Sequence, residues 1–284
     1  MLMLRKLVVS GLIVAVAILT PPGKAVADPP LQLGILPYLP ARSLIAEHQP
    51  LRAFLQQSLG REVELYTAPD FQTFFESTRQ GKYDVVITAA HFARVAQIDQ
   101  GYVPMVRYSG GARGLVVVAR NSPIRRLEQL RGKIIAGPDR LALVSLVVDR
   151  WLREHGLQEK RDYTLLPSVS FNTAILTVQH GEAAAAISAP AALRQMPAEL
   201  RDSVRILGDT GDYTNLIYLA NPRLDKREIA QLGELILRFA TDTQSGRAFL
   251  RSTGFGSIIP ATAADMNRLD TYVPETRRLV APRP

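Results

Sequence analysis

Segments with apolar residues at every second position alternate along this chain with segments in which apolar residues recur every three or four positions. This pattern predicts short strands alternating with amphipathic helices. Residues 31–36 are typical of a strand, and residues 50–59 place leucine and phenylalanine at helical spacing before Gly60. Further predicted strands are 62–67, 84–89, 102–108, 115–119, 133–136, 163–166 and 184–189. Further predicted helices are 71–80, 90–100, 122–131, 139–155, 171–180, 228–241 and 245–252. The tail from Pro274 onward, which is rich in arginine and proline, is predicted to fray. This order predicts an α/β fold with mostly parallel sheets flanked by helices.

One of these helix–strand units occurs twice, 100 residues apart. Residues 71–89 and 171–189 share Phe, Thr, Gly, Ile and Ala at identical offsets, and Thr88 corresponds to Ser188. A solenoid needs more than two copies of its repeat. Two copies predict two similar α/β lobes facing each other across a cleft, and that cleft is where a function is to be sought.

The N-terminus has the three parts of a secretory signal peptide. Arg5 and Lys6 precede an apolar run at 7–19, and small residues end at Ala27. We predict that residues 1–27 are a signal peptide cleaved after Ala27. The alternative is a retained membrane anchor, but the run is shorter than the roughly 20 apolar residues that span a bilayer. An exported chain with no cysteine, hence without disulfides or a lipidated cysteine, is expected in the periplasm.

Composition argues against several function classes. The formal charge is +8, but the basic residues are scattered among acids and form no stripe with aromatics, so a nucleic-acid partner is not expected. The chain has no cysteine and only four dispersed histidines, and it lacks hydrolase, metalloprotease and phosphate-loop motifs. We therefore predict no metal, no cofactor and no catalytic residues. The expected protein is a binding protein and not an enzyme.

Candidate ligand-binding residues follow from the topology, because ligands of open α/β sheets bind at the carboxyl ends of strands. Strand ends, the starts of the repeat helices and a glycine-rich connection at 109–114 would meet at one cleft. The candidates are Tyr38, Phe71, Thr88, His91, Arg113, Arg140, Asn172, Thr173 and Ser188. The arginines are included because a guanidinium can bind an oxyanion through two parallel hydrogen bonds.

Each candidate also has a purely structural interpretation. Phe71 is better explained as a core residue in the first turn of its helix, as is Phe171 in the second copy. Thr88, Ser188, Asn172 and Thr173 are all residue types that cap helices. Arg113 and Arg140 are two among many arginines, most of which are expected at the surface.

Several motifs in a fixed order resemble the phosphate/phosphite/phosphonate-binding family of periplasmic substrate-binding proteins of ABC importers. They include Gly34-Ile35-Leu36-Pro37, Ala68-Pro69-Asp70-Phe71, Gly81-Lys82-Tyr83-Asp84-Val85-Val86 and Asn121-Ser122-Pro123-Ile124. The resemblance implies a two-lobed type 2 periplasmic-binding-protein fold with two hinge crossings. The first lobe would take residues 28–112, the second 113–209, and residues 210–284 would complete the first. Such a protein closes on a small molecule and delivers it to an ABC permease.

The family's phosphonate contacts are replaced in this chain. The resemblance implies tyrosine at Phe71, an aromatic hydroxyl near Thr88, a histidine near Asn172 and a Ser-Thr-Ser-Gly run where residues 139–142 are Asp-Arg-Leu-Ala. A helix N-terminus binds an anion through its free N–H groups, and Asp139 would supply its own carboxylate there. The sequence therefore predicts weak or no binding of phosphonates, with another small polar or anionic solute as the ligand.

Three functions remain open at this point. The leading hypothesis is a monomeric periplasmic binding protein that captures a small solute for an ABC permease. The second is a periplasmic partner of a signalling kinase, which would report the solute instead of importing it. The third and weakest is an enzyme on the same fold, since the fold alone does not fix function.

Overall fold

The computed structural model describes residues 28–281. The expected signal peptide, residues 1–27, lies outside the described residues. Eleven strands in the described part form two sheets. The strands are β1 Leu31–Ile35, β2 Val63–Tyr66, β3 Val85–Ala89, β4 Val103–Tyr108, β5 Gly111–Ala119, β6 Lys133–Gly137, β7 Tyr163–Pro167, β8 Ala185–Ser188, β9 Val204–Thr214, β10 Leu216–Ala220 and β11 Ile258–Pro260.

The two sheets share one strand order. The first sheet runs β2-β1-β3-β10-β4-β11 and the second runs β7-β6-β8-β5-β9. In each sheet the first three strands are parallel, and the next strand joins them antiparallel. The expected two-sheet α/β fold is confirmed, but the sheets are mixed instead of mostly parallel, because the strands that pass between the sheets return in the opposite direction. We call the parts built on these sheets the first and second lobes.

Helices cover both sheets. They are α1 Ala41–Leu59, α2 Phe71–Arg79, α3 Ala90–Gln100, α4 Leu143–Glu154, α5 Phe171–Gln179, α6 Pro190–Gln195, α7 Ala198–Asp202, α8 Lys226–Asp242, α9 Gln244–Thr253, α10 Ala263–Asn267 and α11 Val273–Val280. One core cluster lies in the first lobe, and two lie on the opposite faces of the second sheet.

The sequence repeat corresponds to equivalent units in the two lobes. Both α2 and α5 have nine residues, capped by Asp70 and Ser170 through the N–H groups of Thr73 and Thr173. Both end before a glycine with positive φ, +69° at Gly81 and +76° at Gly181, a conformation that glycine adopts without steric cost. The strands that follow, β3 and β8, lie third in their sheets. The repeat therefore places equivalent strand ends on the two sides of the seam.

Two connections join the lobes. β4 ends at Tyr108 and β5 begins at Gly111, while β9 ends at Thr214 and β10 begins at Leu216. The boundaries expected at 112/113 and 209/210 thus fall inside β5 and β9. Glycine is needed at position 111 because β5 approaches β9 closely there. A Cβ at this position would lie 2.7 Å from Cβ of Asp212 on β9. β5 and β9 pair along their whole length, so the two connections are adjacent, as a hinge requires.

Four local expectations were wrong. The helix expected at 50–59 begins at Ala41, with Pro50 inside it. The Ser-Pro signal at 122–123 leads to only one 3-10 turn, Leu127–Leu130, instead of a helix over 122–131. α4 begins at Leu143 and not at 139, because the Asp139 carboxylate and carbonyl accept the N–H groups of Leu141 and Ala142 in a turn. The tail, expected to fray from residue 274, forms helix α11, in which Val273 and Thr276 are buried.

Candidate functional site

The two lobes meet at a seam in which α3 of the first lobe faces the start of α4 in the second. His91 lies in the first turn of α3, directly after β3, and is fully buried. Its Nε2 lies 3.1 Å from the carbonyl oxygen of Leu141. This contact connects the carboxyl edge of the first sheet to the segment that follows β6 in the second. The seam is therefore at the strand ends where the sequence predicted the cleft.

Apolar side chains of the second lobe complete the core of the first at this seam. Leu143 and Val147 lie on α4, yet they belong to the first lobe's core cluster and are 7% and 5% exposed. Leu141 packs against the same cluster. Val144, one residue further, packs in the second lobe's core instead. The first turns of α4 therefore hold the lobes together by burying apolar surface from both of them.

The buried position of His91 determines its protonation. Burial lowers its pKa from 6.5 to about 3, and the hydrogen bond to Leu141 opposes that shift only in part. The ring is neutral at neutral pH, and because a carbonyl only accepts, Nε2 carries the proton. Nδ1 is then an acceptor, buried and with no partner among residues 28–281. In the lobes as they stand, His91 offers no positive charge to an anion.

Arg113 is paired with carboxylates of its own lobe. Its Nη2 lies 2.8 Å from Oδ2 of Asp209, and its Nε lies 3.5 Å from Oδ1 of Asp212. Both aspartates are on β9, the partner strand of β5. Half of the arginine side chain is exposed. The guanidinium predicted to bind an anionic solute is thus engaged at the hinge.

Arg140 is also paired within the second lobe. Both of its terminal nitrogens contact the two carboxylate oxygens of Glu159, in the two-pronged geometry that a free oxyanion would otherwise take. Neither arginine can bind an anionic solute while it is paired in this way. It would first have to release the chain's carboxylate and then pair with an anionic group of the solute.

We expect Arg113→Ala to lower the free energy of unfolding by less than about 1 kcal/mol, because half-exposed ion pairs contribute little. Urea denaturation of the variant and the wild type measures this difference. Solute affinity should not change while Asp209 and Asp212 hold the guanidinium. A loss of affinity of roughly 1.5–3 kcal/mol would show instead that Arg113 contacts the solute through a charged hydrogen bond.

The aromatic candidates serve mainly as packing residues. Tyr38 donates to Glu47 at 2.6 Å and meets Phe255 edge to face, with ring centroids 5.8 Å apart. Phe71 packs against the first core cluster, and Phe171 packs against both clusters of the second lobe. These rings line their own lobes, as the structural interpretation of the sequence proposed for the two phenylalanines.

The hydroxyl candidates fall into two groups. Thr88 and Ser188, at the ends of β3 and β8, are 1% and 0% exposed, and the Ser188 hydroxyl has no partner among the described residues. Thr173 is part of the α5 cap, with its hydroxyl 2.9 Å from that of Ser170. Asn172 beside it is exposed. The structure thus brings His91 to the seam and distributes the other candidates around it.

Sequence reasoning missed a buried tyrosine pair at the hinge side of the first lobe. Tyr108 ends β4 and Tyr218 lies in β10, and their hydroxyl oxygens are 2.9 Å apart. Burial raises the pKa of both phenols, so both remain protonated. Tyrosine in an otherwise apolar strand was the available signal, because a buried phenol needs a hydrogen-bond partner.

Residues 28–281 contain no cluster of three or more histidine, cysteine or acidic side chains arranged to hold a metal ion. Within the same residues, no helix is long and apolar enough to cross a membrane.

Comparison with known proteins places this geometry among binding proteins of transporters. A family model described as the periplasmic substrate-binding protein of a phosphonate ABC transporter matches residues 33–266. No curated protein sequence matches the chain.

Solved structures with the same fold cover most of the chain. XAC2383 from Xanthomonas citri bound to ATP is 21% identical, with 88% of this chain and 97% of that one covered and a TM-score of 0.73. PhnD1 from Prochlorococcus marinus in complex with methylphosphonate is 15% identical, with coverage of 88% and 97% and a TM-score of 0.72. The aliphatic sulphonate binding protein SsuA from Escherichia coli is 19% identical, with coverage of 90% and 95% and a TM-score of 0.63. At these identities the likeness concerns the fold.

Proposed function

This chain belongs to the family of periplasmic substrate-binding proteins of phosphonate ABC transporters, and on that basis we propose that it binds a small solute at the seam between its lobes. It presents the closed form to an ABC permease. The observation that supports this site most directly is the contact of His91 in the first lobe with Leu141 in the second. A solute that touches both lobes there would shift the equilibrium toward the closed form.

We further propose that simple phosphonates are not the solute. In the turn at residues 139–142 the Asp139 carboxylate accepts the N–H of Leu141, and Leu141 and Leu143 supply apolar surface beside it. Arg113 and Arg140 are already paired with carboxylates. A dianionic phosphonate at this position would lose its water without gaining matched donors.

The site would be formed by residues from both lobes. In the first lobe these are His91, Thr88, Tyr38 and Phe71, and in the second Ser188, Asn172 and Thr173, while Arg113 and Arg140 stay paired with carboxylates of the chain. The protein would act as a monomer after cleavage at Ala27, with an ABC permease as its partner.

A binding screen of the mature chain from residue 28 tests this function. We expect one compound from a panel of phosphonates, sulfonates, other oxyanions, ATP and small organic acids to raise the melting temperature. Calorimetry should then give one-to-one binding without product. Methylphosphonate should give little or no shift.

A large shift with methylphosphonate would show that the segment at 139–143 does accept a phosphonate. Turnover of the bound compound would favour an enzyme instead. Unchanged solute uptake in a strain lacking the protein would remove the transport function.

A further inference from the structure

The C-terminal segment 270–280, which we call the strap, contacts both lobes. It consists of the 3-10 turn Asp270–Tyr272 and helix α11. Sequence reasoning placed this segment in a fraying tail, and neither family membership nor the proposed site assigns it a role. Because the strap contacts both lobes, it can affect how the seam opens.

On the first lobe the strap is firmly attached. Asp270 pairs with Arg94 of α3 at 2.6 Å, and Arg277 pairs with Asp99 at the other end of the same helix. The side-chain amide of Gln72 donates to the carbonyl of Val280 at 2.8 Å. Since Val273 is also buried in the first core cluster, the strap is a permanent part of the first lobe.

On the second lobe the strap contacts α4 and the strand beside it. The guanidinium carbon of Arg150 lies 5.8 Å from the ring centre of Tyr272, within the range of a cation–π interaction. Glu275 and Leu279 of α11 line a small open groove of about 20 Å³ together with second-lobe residues that include Arg140, Asp149 and Glu159. Such a groove has room for about one water molecule, so side chains of the strap and of the second lobe lie close together there.

The charges across this contact are complementary. Arg278, the adjacent residue on α11, lowers the pKa of Glu275 most, and Arg153 and Arg140 of the second lobe lower it further. The pKa of Arg278 is raised first by Glu275 and additionally by Glu159 and Asp149. The acid of the strap thus faces second-lobe arginines, and its base faces second-lobe acids. This pattern favours the closed arrangement.

We propose that the strap fastens the lobes to each other and must detach from the second lobe before the cleft can open. Its use in controlling solute entry rests on the proposed function, but the fastening itself does not. A test without any solute therefore separates the fastening from the proposed function. The fastening can be disproved while solute binding at the seam stands, and solute binding can be disproved while the fastening stands.

A charge exchange within the strap tests the fastening. The double variant Glu275→Arg with Arg278→Glu keeps the ion pair within α11, so the helix is retained, but it sets like charges against the second lobe. We expect the backbone amides of residues 141–147 to exchange hydrogen about three- to tenfold faster than in the wild type. Adding Arg140→Glu with Glu159→Arg, which keeps that pair too, should return the rate toward the wild-type value.

The matched control is Arg238→Asp with Asp242→Arg on α8, an exposed helical pair that takes no part in the contact. It should leave exchange at residues 141–147 unchanged. If the strap variant also exchanges at the wild-type rate, or if the second pair of changes fails to slow it, the proposal is overturned. Should the strap variant not fold, Arg150→Gln gives the same test through the Tyr272 contact, with faster exchange expected and an unchanged rate overturning the proposal.

Discussion

Leu143→Asp will open the seam between the lobes while both lobes remain folded. Leu143 lies on a second-lobe helix but is buried in the first lobe's core cluster. Losing a buried leucine costs about 2–5 kcal/mol, and burying a charge costs more. Because the described chain crosses between the lobes through two adjacent strand connections, the lobes can separate and let the new carboxylate reach water. We therefore expect a larger radius of gyration by solution scattering and faster hydrogen exchange at residues 141–147.

Val144→Asp is the control for this change. Val144 is the next residue and is 8% exposed, against 7% for Leu143, but it packs in the core of the second lobe. Opening the seam does not expose it, so the variant should destabilise the second lobe and lower the cooperativity of unfolding. If the two variants behave alike, or if Leu143→Asp leaves the radius of gyration unchanged, the seam is not held by this apolar contact.

The contrast between these neighbours shows what the sequence could not predict. Both are apolar residues of one amphipathic helix, and helical spacing alone assigns them to the buried side. Which lobe buries each one depends on how the two sheets are placed, and that is decided by contacts distant in sequence. The ion pairs raise the same difficulty, since Arg113 meets Asp209 across 96 residues.

Local signals, in contrast, were sufficient for the repeat. Asp70 and Ser170 cap α2 and α5 as their residue types predict, and the glycines at 81 and 181 follow the ends of both helices. These features need only the residues within one turn, so they hold wherever the unit lies in the fold. From them the two-lobed architecture could be inferred, because each unit places a strand beside a parallel neighbour.

Errors arose where a local signal competed with a distant contact. Ser122-Pro123 has the order of a helix start, yet the carbonyls of Ser122 and Ile124 accept from Arg205 on β9, and only a 3-10 turn follows. At the C-terminus, Pro274 was interpreted as part of a fraying tail. It lies in the first turn of α11, where proline is favoured, and the helix is stabilised by packing on α3.

Stability will fall as the pH is lowered from 6.5 toward 3, and His91 will account for a large part of the loss. Burial lowers its folded-state pKa from 6.5 to about 3, so the unfolded chain binds a proton in this range that the closed protein does not. Above pH 6.5 the contribution of this group to stability is complete. Below it, each pH unit costs about 1.4 kcal/mol until the folded-state pKa is reached. Urea denaturation at pH 6.5 and 4.5 should therefore differ by roughly 2–3 kcal/mol through this histidine.

His91→Gln isolates that contribution, because glutamine keeps an N–H donor for the Leu141 carbonyl but does not titrate. His48 is buried as well and its pKa is lowered, so the wild type and the variant share its effect, and only the difference between their pH slopes belongs to His91. Since His91 lies at the seam, opening of the lobes would also let it gain a proton. Protection factors at residues 141–147, corrected for the intrinsic pH dependence of amide exchange, should accordingly fall at pH 4.5 in the wild type and not in the variant. Equal slopes in the two proteins would mean that His91 is solvated and titrates normally, and that the seam between the lobes is open in solution.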